Sequence, residues 1–198
     1  MLRQLVGLLL VVLLLSTIFV PQANAGTATV PLSLQVNGAL VISNASDDTS
    51  MGKDPSINVN IAVTPDLGAT NASGSANFRI RTNRTTWRLT AQRTASDAGG
   101  TGIGDSDVLL DVSKSAGSNA NASAGALVSP FTSQTNLSSI STSSPVDVVS
   151  GTAKTSSAKD SSNANNWFQV GTTYSIFPDF FYTPGTYSTT ISYSLVSP

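Results

Sequence analysis

Apolar residues fall at every second position in one stretch of this chain after another. Ala28, Val30, Leu32, Leu34 and Val36 alternate with neighbours such as Thr29, Ser33 and Gln35. Asn37-Gly38 then marks a turn, after which Leu40 and Ile42 resume the pattern. Ile57, Val59, Ile61 and Val63 repeat it, and Thr64-Pro65-Asp66-Leu67-Gly68 closes that run. Phe78 and Ile80 oppose Arg79 and Arg81; Trp87, Leu89 and Ala91 oppose Arg88 and Thr90; Val108, Leu110 and Val112 oppose Leu109 and Asp111. The last run is Tyr187, Thr189, Ile191, Tyr193 and Leu195. A period of two puts alternate side chains on opposite faces of a strand, and no stretch shows the helical period. Six or more such strands, separated by Gly, Pro, Asn and Asp, predict an all-β protein. An antiparallel, Ig-like β-sandwich is expected, with a small barrel as the alternative.

Low-complexity stretches separate the strands. Residues 95–104 are Gly-rich, while 113–126 and 138–166 are mostly Ser, Ala, Asn, Thr and Gly. Such compositions bury little, so long mobile loops are expected there, with one short strand at Val146, Val148 and Val149.

The beginning of the chain follows a different pattern. Arg3 precedes an almost unbroken apolar run from Leu5 to Val20, which Pro21 ends; Ala23-Asn24-Ala25 then supplies small residues. This three-part layout predicts a secretory signal peptide over residues 1–25, cut before Gly26. The run is short for a membrane-spanning helix, and no second one follows. The expectation is a single domain over residues 26–198, secreted or held at the cell surface, with no transmembrane segment once the leader is removed. The chain has no cysteine. Its stability must therefore come from a packed core rather than disulfides, and it has no thiol to carry a lipid.

Composition narrows the chemistry further. There is no His and no Cys, and all 11 acidic residues are Asp. A Ser–His–Asp or Cys–His arrangement is thereby excluded, as is a zinc site of His and Cys. No pair of aspartates is spaced to suggest a glycosidase. The four lysines, Lys53, Lys114, Lys154 and Lys159, lie in polar, loop-like contexts unsuited to a Ser–Lys hydrolase. A non-enzyme without a cofactor is expected. The net charge of −1, with 11% charged residues, argues against a nucleic-acid partner. Asp105, Asp107 and Asp111 form one acidic cluster, but Leu109 and Leu110 interrupt any calcium-loop spacing, and a polar turn is the simpler reading.

Three further features are candidates for binding. Arg79, Arg81 and Arg88 would share a solvent face if their two strands formed a hairpin. That face would suit an anionic envelope polymer or, more simply, would guard against edge-to-edge aggregation. Asn44, Asn71, Asn83, Asn121 and Asn136 each begin an Asn-x-Ser/Thr sequon, as chance permits in so Ser- and Thr-rich a chain. Trp87 and Trp167-Phe168 are heavy hydrophobes expected mainly in the core. Residues 177–182, Phe-Pro-Asp-Phe-Phe-Tyr, would form a partner or glycan platform wherever they are exposed.

Two segments resemble the WxL-type surface domain of bacterial cell-wall proteins. One is Thr86-Trp87-Arg88-Leu89-Thr90; the other runs from Pro184-Gly185-Thr186-Tyr187 to Tyr193-Ser194-Leu195-Val196-Ser197-Pro198. The resemblance carries Trp87, Leu89, Tyr193 and Leu195, with Tyr193 standing where that family often has Trp. It implies a β-rich exported protein associated non-covalently with the cell wall or with other surface proteins. The ends of the chain also resemble chaperone–usher pilin subunits. On that likeness Val30, Leu32, Leu34 and Val36 form a donor strand that fills a neighbour's groove, giving a homopolymer. Pro31 lacks a ladder donor, and Ser197 stands where an aromatic is usual. The simplest alternative makes the same residues the first strand of the protein's own sheet.

Overall fold

In a computed structural model, residues 31–198 are described. Nearly all the regular secondary structure is in nine strands: β1 (Leu40–Asn44), β2 (Ala72–Thr82), β3 (Trp87–Arg93), β4 (Leu109–Ala116), β5 (Gly125–Leu127), β6 (Thr135–Asn136), β7 (Val146–Gly151), β8 (Phe168–Ile176) and β9 (Ile191–Val196). Among the described residues, helix is confined to two single 3-10 turns, at Ser50–Gly52 and Leu137–Ser139. The protein is therefore nearly all β. Its strands form two antiparallel sheets, in the orders β1-β2-β8-β4-β6 and β5-β7-β3-β9, as expected for a sandwich.

Alternation along each strand builds the core. Phe78 and Ile80 from β2, Leu110 and Val112 from β4, and Phe168 and Val170 from β8 point inward from the larger sheet. Trp87, Leu89 and Ala91 from β3 and Val148 and Val149 from β7 meet them from the smaller one. Each fully buried Leu or Phe withdraws enough apolar surface to contribute about 1.5–3 kcal/mol, which is how a chain without disulfides holds together.

Three expectations need correction. The runs of small polar residues are not simply surface loops: Ser113 to Ala116 belong to β4, β5 begins at Gly125, and Ala124, Leu137, Ile140 and Thr155 are buried. Isolated apolar residues in a polar stretch leave no periodic trace, so alternation could not reveal them. Secondly, β2 and β3 do not form a hairpin. The chain crosses between sheets at residues 83–86, and β2 pairs with β1 and β8 while β3 pairs with β7 and β9. Thirdly, residues 31–39 are not a first strand of the sheet, which begins at Leu40. Asn37–Pro198 forms one compact unit, and the residues up to Val36 belong to another. The expected signal peptide and Val30 lie outside the described residues.

Candidate functional site

The most unusual backbone in the domain is residues 55–65. Ile57, Val59, Ile61 and Val63 are half-buried, while Asn58, Asn60, Ala62 and Thr64 are exposed, as in a strand. Ile57 and Val63 pack against the core. A Cβ placed at Gly74 on β2 would lie 2.6 Å from Val59 Cγ1 and 3.1 Å from Ile61 Cγ1, so glycine is what lets these side chains settle onto the sheet's inner face. Yet among the described residues no backbone hydrogen bond involves residues 55–65, and no strand pairs with them. Their side chains are arranged as in a strand while their N–H and C=O groups have no backbone partner among the described residues.

Two sheet edges are open as well. β1 pairs only with Phe78–Thr82, leaving the same side of Ala72–Asn77 without a strand partner, and β9 ends the smaller sheet. Unpaired edges present rows of donors and acceptors and are ready templates for another chain. Leu32, Leu34 and Val36, by contrast, are apolar and 81%, 84% and 86% exposed. One part of the chain thus has apolar side chains without a core, and another has strand backbone without a ladder.

The residues of the Trp-x-Leu resemblance sit side by side in the interior. Leu89 is opposite Leu195 and Ala91 is opposite Tyr193 in the β3–β9 ladder. Trp87 and Leu89 are fully buried, and the Trp87 indole N–H donates to Ala153 O at 2.7 Å. Tyr193 stacks at a tilt on Phe78, with ring centroids 4.9 Å apart, and shares a hydrogen bond with Tyr174. Burial, with Tyr174 beside it, pushes the Tyr193 phenol well above its ordinary pKa. These four residues are placed to pack.

The arginines divide between the sheets. Arg79 and Arg81, on β2, both pair with Asp48. Arg79 also lies over the Trp167 ring, 4.0 Å from its centroid, while its Nε is buried without a hydrogen-bond partner among the described residues. Arg81 donates to Ser43 Oγ, Asn163 O and Asn166 Oδ1. Arg88 stands on β3 in the other sheet and reaches Asp147 at 3.4 Å. No shared stripe of three arginines exists, because the hairpin that would have made it does not form.

A cleft of about 990 Å³ opens beside Arg81, and it collects Lys53, Lys154 and Lys159. All three lysines are exposed, and none makes an ion pair or hydrogen bond among the described residues. The two carboxylates in the wall, Asp48 and Asp160, are already engaged. Asp48 is held by the two arginines, and Asp160 accepts from Ser162 Oγ and from the backbone of Ser162 and Asn165. Those hydrogen bonds, Ser162 foremost, hold Asp160 below its ordinary pKa. The sequence separates Lys53 from the other two by about a hundred residues, and no pattern in it announces that they meet.

The acidic cluster does not converge. Asp105 accepts from Ser96 Oγ at 2.6 Å and Tyr187 Oη at 2.7 Å and pairs with Arg93 at 2.5 Å. Asp107 accepts from the Gly104 N–H, and Asp111 is exposed on β4. No group of three metal-ligating residues occurs among the described residues. Burial tends to raise the Asp105 pKa, but Ser96, Tyr187 and Arg93 outweigh it and hold the carboxyl below the usual range. The Tyr187 phenol, half-buried and facing that carboxylate, is pushed up to about 12. In the β8–β9 connection Phe177, Phe180 and Phe181 are exposed, whereas neighbouring Phe168 is core.

No protein-family model matches the chain, and no curated protein matches it in sequence.

Proposed function

We propose that the protein is a non-catalytic structural component acting outside the cytoplasm, which associates with copies of itself by strand addition. The observation that carries this reading is the strand-like segment 55–65, whose apolar side chains are packed but whose backbone has no ladder. Residues 28–36 have the complementary character: alternating, apolar at the even positions, and exposed where described. Strand addition supplies main-chain hydrogen bonds along the edge and uses alternate side chains for specificity. The absence of His, Cys and Glu removes the commonest acid, base and nucleophile pairs and argues in the same direction. Deleting residues 27–36 should abolish high-mass assemblies of the native protein in size-exclusion chromatography with light scattering, while the monomer stays folded. Assemblies of unchanged size would refute the reading.

A second reading, non-covalent association with a cell-envelope polymer, is favoured by the cleft in which three unpaired lysines meet. It agrees with the WxL resemblance in outcome but not in the residues used, since Trp87 and Leu89 are buried. Sedimentation with purified cell wall tests it, and protein left wholly in the supernatant counts against it.

A further inference from the structure

Charges that are already answered by the protein have little left for a ligand, and in the cleft beside β1 the answered and unanswered groups separate cleanly. Arg81, Asp48 and Asp160 are satisfied internally. Lys53, Lys154 and Lys159 are not, and they are three of the chain's four lysines. The fourth, Lys114, is used structurally: its ammonium donates to the carbonyls of Ala122 and Gly125 and lies 4.4 Å from the Phe168 ring centroid. Among the described residues, the three lysines without a partner thus all line this one cleft.

We propose that this cleft binds an anionic glycan chain, with Lys53, Lys154 and Lys159 meeting its carboxylates. The inference rests on the second reading above, association with an envelope polymer, and gives it a site and a ligand chemistry. Three features select this class. The wall between the lysines includes several hydroxyl groups, among them Ser50, Ser157 and Ser161, which exchange hydrogen bonds with sugar hydroxyls as readily as with water. Among the described residues no aromatic side chain lines the cleft, so they offer no platform on which nucleobases would stack. Its volume, about 990 Å³, is at the upper end of the roughly 300–1,000 Å³ usual for a ligand pocket, and the cleft is open, as a polymer needs if it is to enter and leave. Lysine presents a compact, hydrated charge on a flexible stem and can follow carboxylates whose spacing varies along a chain.

The test is titration of the full protein with oligogalacturonate, an uncharged oligosaccharide of equal length and inorganic polyphosphate. Oligogalacturonate should bind, the uncharged oligomer should not, and binding should vanish near 1 M salt, where the screening length is about 3 Å. The triple variant Lys53→Gln/Lys154→Gln/Lys159→Gln changes only exposed side chains, and circular dichroism checks that it folds. Its affinity for oligogalacturonate should fall on the order of tenfold or more, as expected for three partly screened contacts. Undiminished binding by the variant would overturn the site, and equal binding of polyphosphate would overturn the preference for a glycan. Sedimentation with purified wall separates the two levels of inference. If wild type and variant both sediment, wall association stands and this site falls; if neither sediments and no oligosaccharide binds, both fall.

Discussion

Consider Gly151→Ala, at the end of β7 opposite Trp87 in the β3–β7 ladder. A Cβ built there would fall on the indole, against Cε2, Cδ2 and Nε1 of Trp87. The ring cannot retreat: Trp87 is fully buried, Gly125 closes its far edge, and its N–H is tied to Ala153 O at 2.7 Å. Inserting a methyl group into such a site costs about 1–3 kcal/mol, and an immobile ring places this case near the top of that range. Against this, replacing Gly by Ala restricts the unfolded chain and returns about 0.4–1 kcal/mol. The net expectation is a loss of about 2 kcal/mol, which for a domain of this size lowers Tm by about 4–8 °C. Thermal unfolding followed by circular dichroism reads this directly. A double-mutant cycle tests the cause. Trp87→Leu alone should cost about 3–4 kcal/mol, approaching the cost of truncating a buried Trp to Ala. In the Trp87→Leu background the clash is gone, so Gly151→Ala should cost almost nothing and the two effects should fall short of additivity by more than 1 kcal/mol. Additive losses would refute the argument that the indole and the missing Cβ compete for one space. They would also reopen the possibility that Trp87 serves something other than packing.

Other expectations follow from features already described. The amides of residues 56–64 should exchange hydrogen far faster than those of β8 in the monomer and gain protection on assembly; slow exchange in the monomer would show a hidden ladder. Asp105 has a folded-state pKa below its ordinary 3.8, so its stabilising contribution is complete above about pH 4 and is lost as pH falls through the lower, folded value. Asp105→Asn should therefore flatten the dependence of stability on pH below about pH 4, and an unchanged slope in acid unfolding would count against the Ser96–Tyr187–Arg93 cradle. Val59→Asp puts a charge against Gly74 on the inner face of β2 and should destabilise by about 2 kcal/mol in urea titration. A negligible effect would mean that segment 55–65 is not seated on the sheet.

Alternation located the interior well because a strand packed on one face must alternate. Phe78, Ile80, Trp87, Leu89, Leu110 and Val112 are all buried core residues. It failed where that physical link was missing. Ile140 and Leu137 are fully buried beside a 3-10 turn and have no apolar partners two residues away on a common strand. Residues 57–63 alternate perfectly and still form no ladder, because burial on one side constrains side chains and says nothing about backbone partners. The arginine stripe failed for a topological reason: a four-residue link permits a hairpin, but here it carries the chain across to the opposite sheet. The lysine cleft was out of reach altogether, since it depends on loops 45–54 and 154–163 coming together around β1 and β2.

The pairing of β8 has a consequence for when this protein acquires its shape. β8 is the middle strand of the larger sheet, flanked by β2 and β4, and Ser75 on β2 bonds to Thr173, 98 residues further on. In a polypeptide emerging amino end first from a ribosome, β2 and β4 are both made before the strand that unites them, which begins only at Phe168. Until then β2 and β4 have no common neighbour and no closed interior to favour them, and connections this distant make for a slow folder. Until β8 arrives, the larger sheet can exist only as two separate halves, β1-β2 and β4-β6.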